Sequence, residues 1–159
     1  VDNIETKLKE IDPSHSQIYF ENAQQYRQQL ETLHTWIEEQ VSQLPASKRI
    51  LVTDHAFLTY FAARYGFQQA GFIIPGYSTL AQPSARELAN LEETIRSLGV
   101  EAIFVGNSVN QALAERIAKD TGVSLVMLYT GSLSEPDGVA ATYQDYMHYN
   151  VSAIIEALK

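Results

Sequence analysis

After Pro45 the sequence alternates between short apolar runs and amphipathic helical patterns, and this alternation constrains the fold more than any other feature. The strand-like runs are residues 50–53, 72–74, 102–105 and 124–129. Apolar residues at helical spacing follow the runs, and a glycine closes the first three helical patterns at Gly66, Gly99 and Gly122. Strands that alternate with helices predict an α/β fold, a four-stranded parallel sheet with helices on both faces.

A long helical segment precedes this region. Residues 2–11 have helical spacing, and Asp12-Pro13 is typical of an N-cap followed by proline in the first turn of a new helix. One apolar stripe continues this helix to about Leu44 and consists of Tyr26, Leu30, Leu33, Ile37, Val41 and Leu44. Roughly 30 residues at 1.5 Å each make a helix about 45 Å long, which exceeds the diameter of a domain of this size. We therefore expect part of the helix to pack against a region outside this chain.

Composition excludes several classes of function. The net charge of −8 over 159 residues disfavours nucleic acids and anionic membranes, because their phosphate groups would repel the chain. The absence of cysteine excludes disulfides and thiolate metal ligands. No apolar run is long enough to span a bilayer. Since the chain begins at Val1, we expect either a processed start or a cut within a longer protein.

Three polar turns follow predicted strands. They are Asp54-His55, Gly106-Asn107 and Thr130-Gly131-Ser132. Because ligands bind beyond the carboxyl ends of parallel strands, we expect all three turns on one rim, with His55 as its strongest metal-type side chain. A helix N-terminus at or near His55 would disfavour imidazolium and keep the ring in its ligand form.

Other interpretations of these residues stay open. His55 could simply end a strand and bond a neighbouring loop. The sequence also allows a small α/β enzyme with His55 and Asp54 as an acid/base pair, although no nucleophile or cofactor loop accompanies them. A receiver-like module would need more acidic residues than Asp54 after the first strand.

The remaining aromatic and histidine residues are weaker candidates. We expect His15, His34 and His148 on solvated faces. In addition, no two histidines have ligand spacing on a helix. The cluster of Tyr143, Tyr146 and Tyr149 is interpreted as helix packing.

Several segments together resemble a known family. "VTDHAFLTYFAARYGF" at residues 52–67, "PSARELA" at 83–89, "AIFV" at 102–105 and "TYQDYMHYN" at 142–150 occur in order at the family's separations. The chain is similar over nearly its whole length to the C-terminal half of zinc- and manganese-specific substrate-binding proteins of ABC importers.

The resemblance implies a metal site between two lobes. The family's C-terminal lobe gives a histidine or glutamate after its first strand, which matches His55, and often an aspartate after its last strand. Gly131 stands at the second position, so no aspartate is transferred. A site with imidazole and without this carboxylate favours Zn²⁺ over Mn²⁺.

The resemblance also implies the organisation of the whole protein. Residues 1–45 would form the family's linking (backbone) helix region and residues 46–159 its C-terminal metal-binding lobe, in a fragment that lacks the N-terminal lobe. The function would be capture of a metal ion and its delivery to an ABC permease membrane subunit, with weak binding by this fragment alone. The location would be periplasmic or membrane-anchored and extracytoplasmic. A homodimer through the exposed lobe face or the helix is a further expectation.

Overall fold

The structure is a computed structural model that describes residues 1–74, 83–107 and 111–159. Within these residues the helices are α1 (Asp2–Ile11), α2 (Ser16–Ser42), α3 (Thr59–Tyr65), α4 (Ala85–Leu98), α5 (Ala112–Thr121) and α6 (Tyr143–Leu158). The strands are β1 (Ile50–Thr53), β2 (Gln68–Phe72), β3 (Ala102–Gly106) and β4 (Ser124–Leu128). The chain divides into two compact units, Val1–Glu39 and Gln40–Lys159.

The first unit contains α1 and most of α2. Arg27 on α2 donates from Nε to Asp2 Oδ1 at 2.8 Å and also pairs with Glu5, so one guanidinium ties two carboxylates of α1 to α2. Planar guanidinium groups suit such shared pairing. This ion pairing holds the two helices of the unit together.

The junction between α1 and α2 differs from the prediction in one respect. Pro13 opens a short 3-10 turn, Pro13–His15, before α2 starts at Ser16. Asp12 lies at the N-cap position, but its side chain makes no bond to a backbone N–H. Its carboxylate instead accepts hydrogen bonds from Ser14, Tyr19 and His15, which lower the Asp12 pKa to about 2.

The predicted stripe on α2 is buried only along its second half. Leu33, Ile37, Val41 and Leu44 are buried, whereas Tyr26 is exposed. The helix has 27 residues, which is about 40 Å at 1.5 Å per residue. The predicted division at residues 45 and 46, into a linking helix and a metal-binding lobe, stays a prediction.

The second unit is built on a four-stranded parallel sheet in the order β2-β1-β3-β4, as predicted. Ile103 and Val105 on β3 pack with apolar residues of α4 and α5. Phe104 between them faces the opposite side and is also fully buried, while α6 contacts β3 and β4. Both faces of the sheet are therefore covered.

The second strand lies elsewhere than predicted. The prediction placed it at residues 72–74, but β2 runs from Gln68 to Phe72. The polar residues at the start of β2 are tolerated because β2 is an edge strand of the described sheet. Gln69 also donates from Nε2 to the Gly71 carbonyl at 3.0 Å. This bond lies beside an irregularity in the β1–β2 register. Ile73 and Ile74 still bond the end of β1, where their N–H groups donate to the carbonyls of Thr53 and Asp54.

Local signals placed four helix ends correctly. Ser84 and Glu87 form the predicted capping box at the start of α4. Gly66, Gly99 and Gly122 end α3, α4 and α5 with left-handed φ angles of 72°, 62° and 76°. No helix in the described ranges combines the length and apolar character needed to cross a membrane.

Candidate metal centre

The topology of the sheet marks one place on its rim. β2 lies on one side of β1, and the next strand in the chain, β3, lies on the other side. The strand order therefore reverses between β1 and β3. In open parallel sheets a ligand crevice forms at such a reversal, beyond the carboxyl ends of the strands. Asp54 and His55 follow β1 directly, and Gly106 ends β3. The predicted rim is therefore present in the sheet.

Asp54 is a buried carboxylate whose two oxygens both accept hydrogen bonds. Oδ2 accepts from the Gly106 backbone N–H at 3.0 Å, and Oδ1 accepts from the His55 backbone N–H at 2.8 Å. The residue is only 3% exposed. A buried charge needs such partners, so these N–H groups allow an ionised carboxylate at the end of β1.

The His55 ring is oriented by the same carboxylate. Its Nδ1 lies 2.8 Å from Asp54 Oδ1. An ionised carboxylate only accepts, so Nδ1 carries the proton and Nε2 keeps its lone pair when the ring is neutral. The ring packs beside Phe57 with centroids 5.0 Å apart, and 17% of the side chain is exposed. No partner of Nε2 lies among the residues that the structure describes.

Hydrogen bonds fix the backbone at His55, although the residue does not lie in a helix. α3 begins at Thr59, four residues after His55, which lies in the bend at residues 54–58. The expected effect of a helix N-terminus on the ring therefore does not apply. The His55 carbonyl instead accepts from Thr53 Oγ1 at 2.8 Å and from the Phe57 N–H at 2.9 Å. Local side-chain and turn hydrogen bonds therefore fix residue 55.

Gly106 allows the end of β4 to approach β3. A Cβ built on Gly106 would lie 2.3 Å from Thr130 Oγ1, so any other residue here would require Thr130 to shift. Thr130 is buried, and within the described ranges its hydroxyl oxygen has no hydrogen-bond partner. The close approach brings the turn after β4 to the same rim as Asp54.

Gly131 continues this turn with a φ of 74°. This left-handed conformation favours glycine, with asparagine and aspartate next among other residues. A Cβ on Gly131 would meet no atom of the described residues within 4 Å, so the position is open among them. The chain thus has space, but no carboxylate, where the resemblance leads us to look for a second ligand.

Of the other candidate histidines, His15 and His34 belong to the first unit and His148 lies on α6. His15 is exposed and bonds Asp12, His34 lies 3.5 Å from Glu38 on α2, and His148 is exposed on α6. No group of three potential metal ligands occurs in the described part of the chain. His55 is therefore the one predicted ligand that the sheet places on the rim.

The tyrosines of α6 pack as the sequence analysis expects. The rings of Tyr143 and Tyr146 stack with centroids 6.4 Å apart, and Tyr149 packs edge-on against Tyr129 at 5.1 Å. Sequence reasoning gave no role to Asn150, which is buried beside them. The signal was present, because Asn150 is a polar residue on the apolar stripe of α6.

Comparison with known proteins identifies the family. The family described as ZnuA, zinc-uptake complex component A, periplasmic, matches residues 1–157. The chain belongs to this family. This membership confirms the resemblance found in the sequence.

Individual relatives agree on the fold and differ in their metal. The manganese-binding lipoprotein MntA of Bacillus subtilis is 28% identical over 165 residues, which is 100% of this chain and 53% of MntA. The periplasmic zinc-binding protein TroA of Treponema pallidum superposes with a TM-score of 0.89 at 26% identity, over 99% of this chain and 58% of TroA. A Mn-bound periplasmic metal-binding protein mutant of Candidatus Liberibacter asiaticus gives 0.89 at 27%, with coverage of 99% and 58%. The chain thus spans about half the length of MntA.

Proposed function

We propose that this chain is the linking helix, residues 1–45, and the C-terminal metal-binding lobe, residues 46–159, of a protein that captures a divalent metal ion. The ion is the cargo, which the whole protein delivers to an ABC-type permease outside the cytoplasm. The chain carries out no reaction of its own. Family membership supports the class of protein, and the match to about half of each relative is the reason for proposing a lobe.

The pairing of Asp54 with His55 carries the proposal. Metal-binding histidines commonly donate their second ring N–H to a carboxylate, which fixes the tautomer and makes the free nitrogen a better ligand. Asp54 stands in this relation to His55 Nδ1 at 2.8 Å. His55 Nε2 is then the metal ligand that this chain contributes.

We propose Zn²⁺ as the preferred ion, with Mn²⁺ as the alternative. Imidazole suits zinc, whereas carboxylate and water oxygens suit manganese. Gly131 supplies no carboxylate at the open position beside the rim. Relatives named for manganese and for zinc both occur, so they do not decide between the two ions.

The arrangement does not favour the alternative of an enzyme with a His55–Asp54 acid/base pair. A general base must reach a substrate proton, but both oxygens of Asp54 accept N–H groups and the residue is buried. The pair orients one ring rather than presenting two reactive groups.

Calorimetric titration of the chain with Zn²⁺ and with Mn²⁺ tests the proposal. One imidazole and water give weak binding, stronger for Zn²⁺, and His55→Ala should abolish it. His148→Ala is the matched control, because His148 is exposed on α6, and it should bind as the unchanged chain does. Equal Zn²⁺ binding by His55→Ala and His148→Ala would exclude His55 as the ligand.

The predicted homodimer stays a prediction. Sedimentation velocity over a hundredfold range of chain concentration tests it, since a dimer would raise the sedimentation coefficient as the concentration increases.

A further inference from the structure

Asn150 makes a paired contact with the backbone just beyond β4. Its Oδ1 accepts from the Tyr129 N–H at 2.9 Å, and its Nδ2 donates to the Tyr129 carbonyl at 2.9 Å. Asn150 lies on α6 and is only 4% exposed. One side-chain amide therefore satisfies both polar backbone groups of one residue, as a neighbouring strand would.

The two bonds from Asn150 lie on the side of β4 that faces away from β3. The Leu128 carbonyl, one residue earlier, accepts from the Asn107 N–H on the β3 side at 3.0 Å. The backbone N–H and C=O groups of successive strand residues point alternately to the two sides of the strand. Those of Tyr129 therefore point to the outer edge of β4. β4 is an edge strand with β3 as its one strand neighbour in the described sheet, and Asn150 occupies the place of a further strand there.

The alternation continues one residue further. The Thr130 N–H turns back to the β3 side and donates to Asn107 Oδ1 at 3.2 Å. Two side-chain amides, from Asn150 and Asn107, thus extend strand-like pairing past Leu128. Because this pairing keeps the backbone extended, Thr130 reaches the position where it packs against Gly106.

Gly106 connects this pairing to the candidate metal centre. The same glycine that Thr130 packs against donates its N–H to Asp54 Oδ2, and Asp54 Oδ1 orients the His55 ring. A continuous series of contacts therefore links Asn150, through the end of β4, to Asp54.

We propose that Asn150 is a positioning residue for metal binding, which holds the turn after β4 on the rim and thereby supports the Asp54–His55 pair. This inference rests on the proposed function of His55. Asn150 acts from α6 through the backbone of Tyr129 and touches no metal.

The test compares Asn150→Ala with Val151→Ala in this chain. Val151 is the adjacent buried residue of α6, and its truncation removes core packing but keeps both Asn150 hydrogen bonds to Tyr129. Two quantities are measured for each variant, namely the hydrogen–deuterium exchange rate of residues 128–132 and the Zn²⁺ affinity by calorimetric titration. Thermal midpoints show how far each variant is destabilised.

Asn150→Ala should speed hydrogen–deuterium exchange in residues 128–132 at least tenfold. It should also weaken Zn²⁺ binding by about tenfold, the lower end of the range for loss of a residue that supports a metal ligand. Val151→Ala should do neither at a comparable loss of thermal midpoint. Equal exchange in the two variants, or unchanged Zn²⁺ affinity in Asn150→Ala, would overturn the inference.

Asn150→Asp serves if the alanine variant does not fold. It keeps the size of the side chain and the acceptor for the Tyr129 N–H, but sets a carboxylate oxygen against the Tyr129 carbonyl. The same changes are expected, and their absence would overturn the inference. His55→Ala separates the two proposals: unchanged Zn²⁺ affinity in that variant refutes the proposed function, whereas the exchange rates still report the hold of Asn150 on the turn.

Discussion

Asp54 Oδ2 accepts a hydrogen bond from the Gly106 N–H at 3.0 Å, across 52 residues of sequence, and this bond joins the ends of β1 and β3. The other oxygen of the same carboxylate holds the His55 ring. One buried side chain thus connects the sheet to the proposed metal ligand.

Replacing Asp54 with alanine should weaken Zn²⁺ binding by about tenfold or more, because the His55 ring loses the acceptor that fixes its tautomer. The Gly106 N–H also loses its partner, which should lower the free energy of unfolding by about 1–3 kcal/mol. Calorimetry and urea denaturation measure the two effects. Asp120→Ala is the control, since Asp120 is exposed on α5 and should change neither quantity. Zn²⁺ affinity that survives in Asp54→Ala would show that the carboxylate does not support the ligand.

Gly106→Ala should destabilise the chain by about 1–3 kcal/mol, because its new methyl group would lie 2.3 Å from the buried Thr130 hydroxyl. Gly99→Ala provides the comparison, since Gly99 has a φ of 62° but open space around it. Its cost should be that of the backbone conformation alone, about 1 kcal/mol. Urea denaturation measures both variants, and adding Thr130→Ala should recover part of the loss in Gly106→Ala only. A full loss in the double variant would contradict the steric explanation.

Gly131→Asp should raise Mn²⁺ affinity relative to Zn²⁺, because it adds a carboxylate oxygen at an open position on the rim. Aspartate tolerates the φ of 74° better than most residues. Calorimetry with the two ions measures the ratio of affinities. Gly131→Asn is the matched control, because it has the same shape and the same backbone conformation without the charge. Identical ratios in the aspartate and asparagine variants would show that position 131 does not face the ion.

Acid should destabilise the first unit through Asp12. Hydrogen bonds from Ser14, Tyr19 and His15 lower the Asp12 pKa from 3.8 to about 2. A depressed pKa in the folded state contributes stability that is present above the unfolded value and is lost as the pH falls through the folded value. The thermal midpoint of Asp12→Asn should therefore change less than that of the unchanged chain between pH 4 and pH 2, the window that these two pKa values define.

Circular dichroism melts at several pH values measure this difference. The matched control is Asp137→Asn, which removes an exposed carboxylate in the second unit and should leave the acid response unchanged. Parallel curves for Asp12→Asn and the unchanged chain would contradict the prediction.

Local signals explain which elements the sequence predicted. The capping box of Ser84 and Glu87 and the closing Gly99 lie inside or beside α4, and each acts over a few residues, so both ends of that helix could be predicted. β2 was misplaced because its first residues, Gln68 and Gln69, are polar and its position depends on pairing with β1. Such pairing is set by contacts distant in sequence, which hydrophobic periodicity does not report.

The same distinction applies to the candidate site. His55 was predicted because parallel strands place their carboxyl ends on one rim, a rule that needs only the order of the elements. The bond from Gly106 to Asp54 and the hold of Asn150 on Tyr129 join residues far apart in the sequence, and no local pattern encodes them.

Residue 55 is held by its main chain on both sides. Its N–H donates to Asp54, and its carbonyl accepts from Thr53 and from the N–H of Phe57. None of these three bonds involves the imidazole. The location of the proposed ligand is consequently independent of its chemical kind. We therefore expect that exchanging one side chain for another there alters which ion is preferred without requiring a new scaffold.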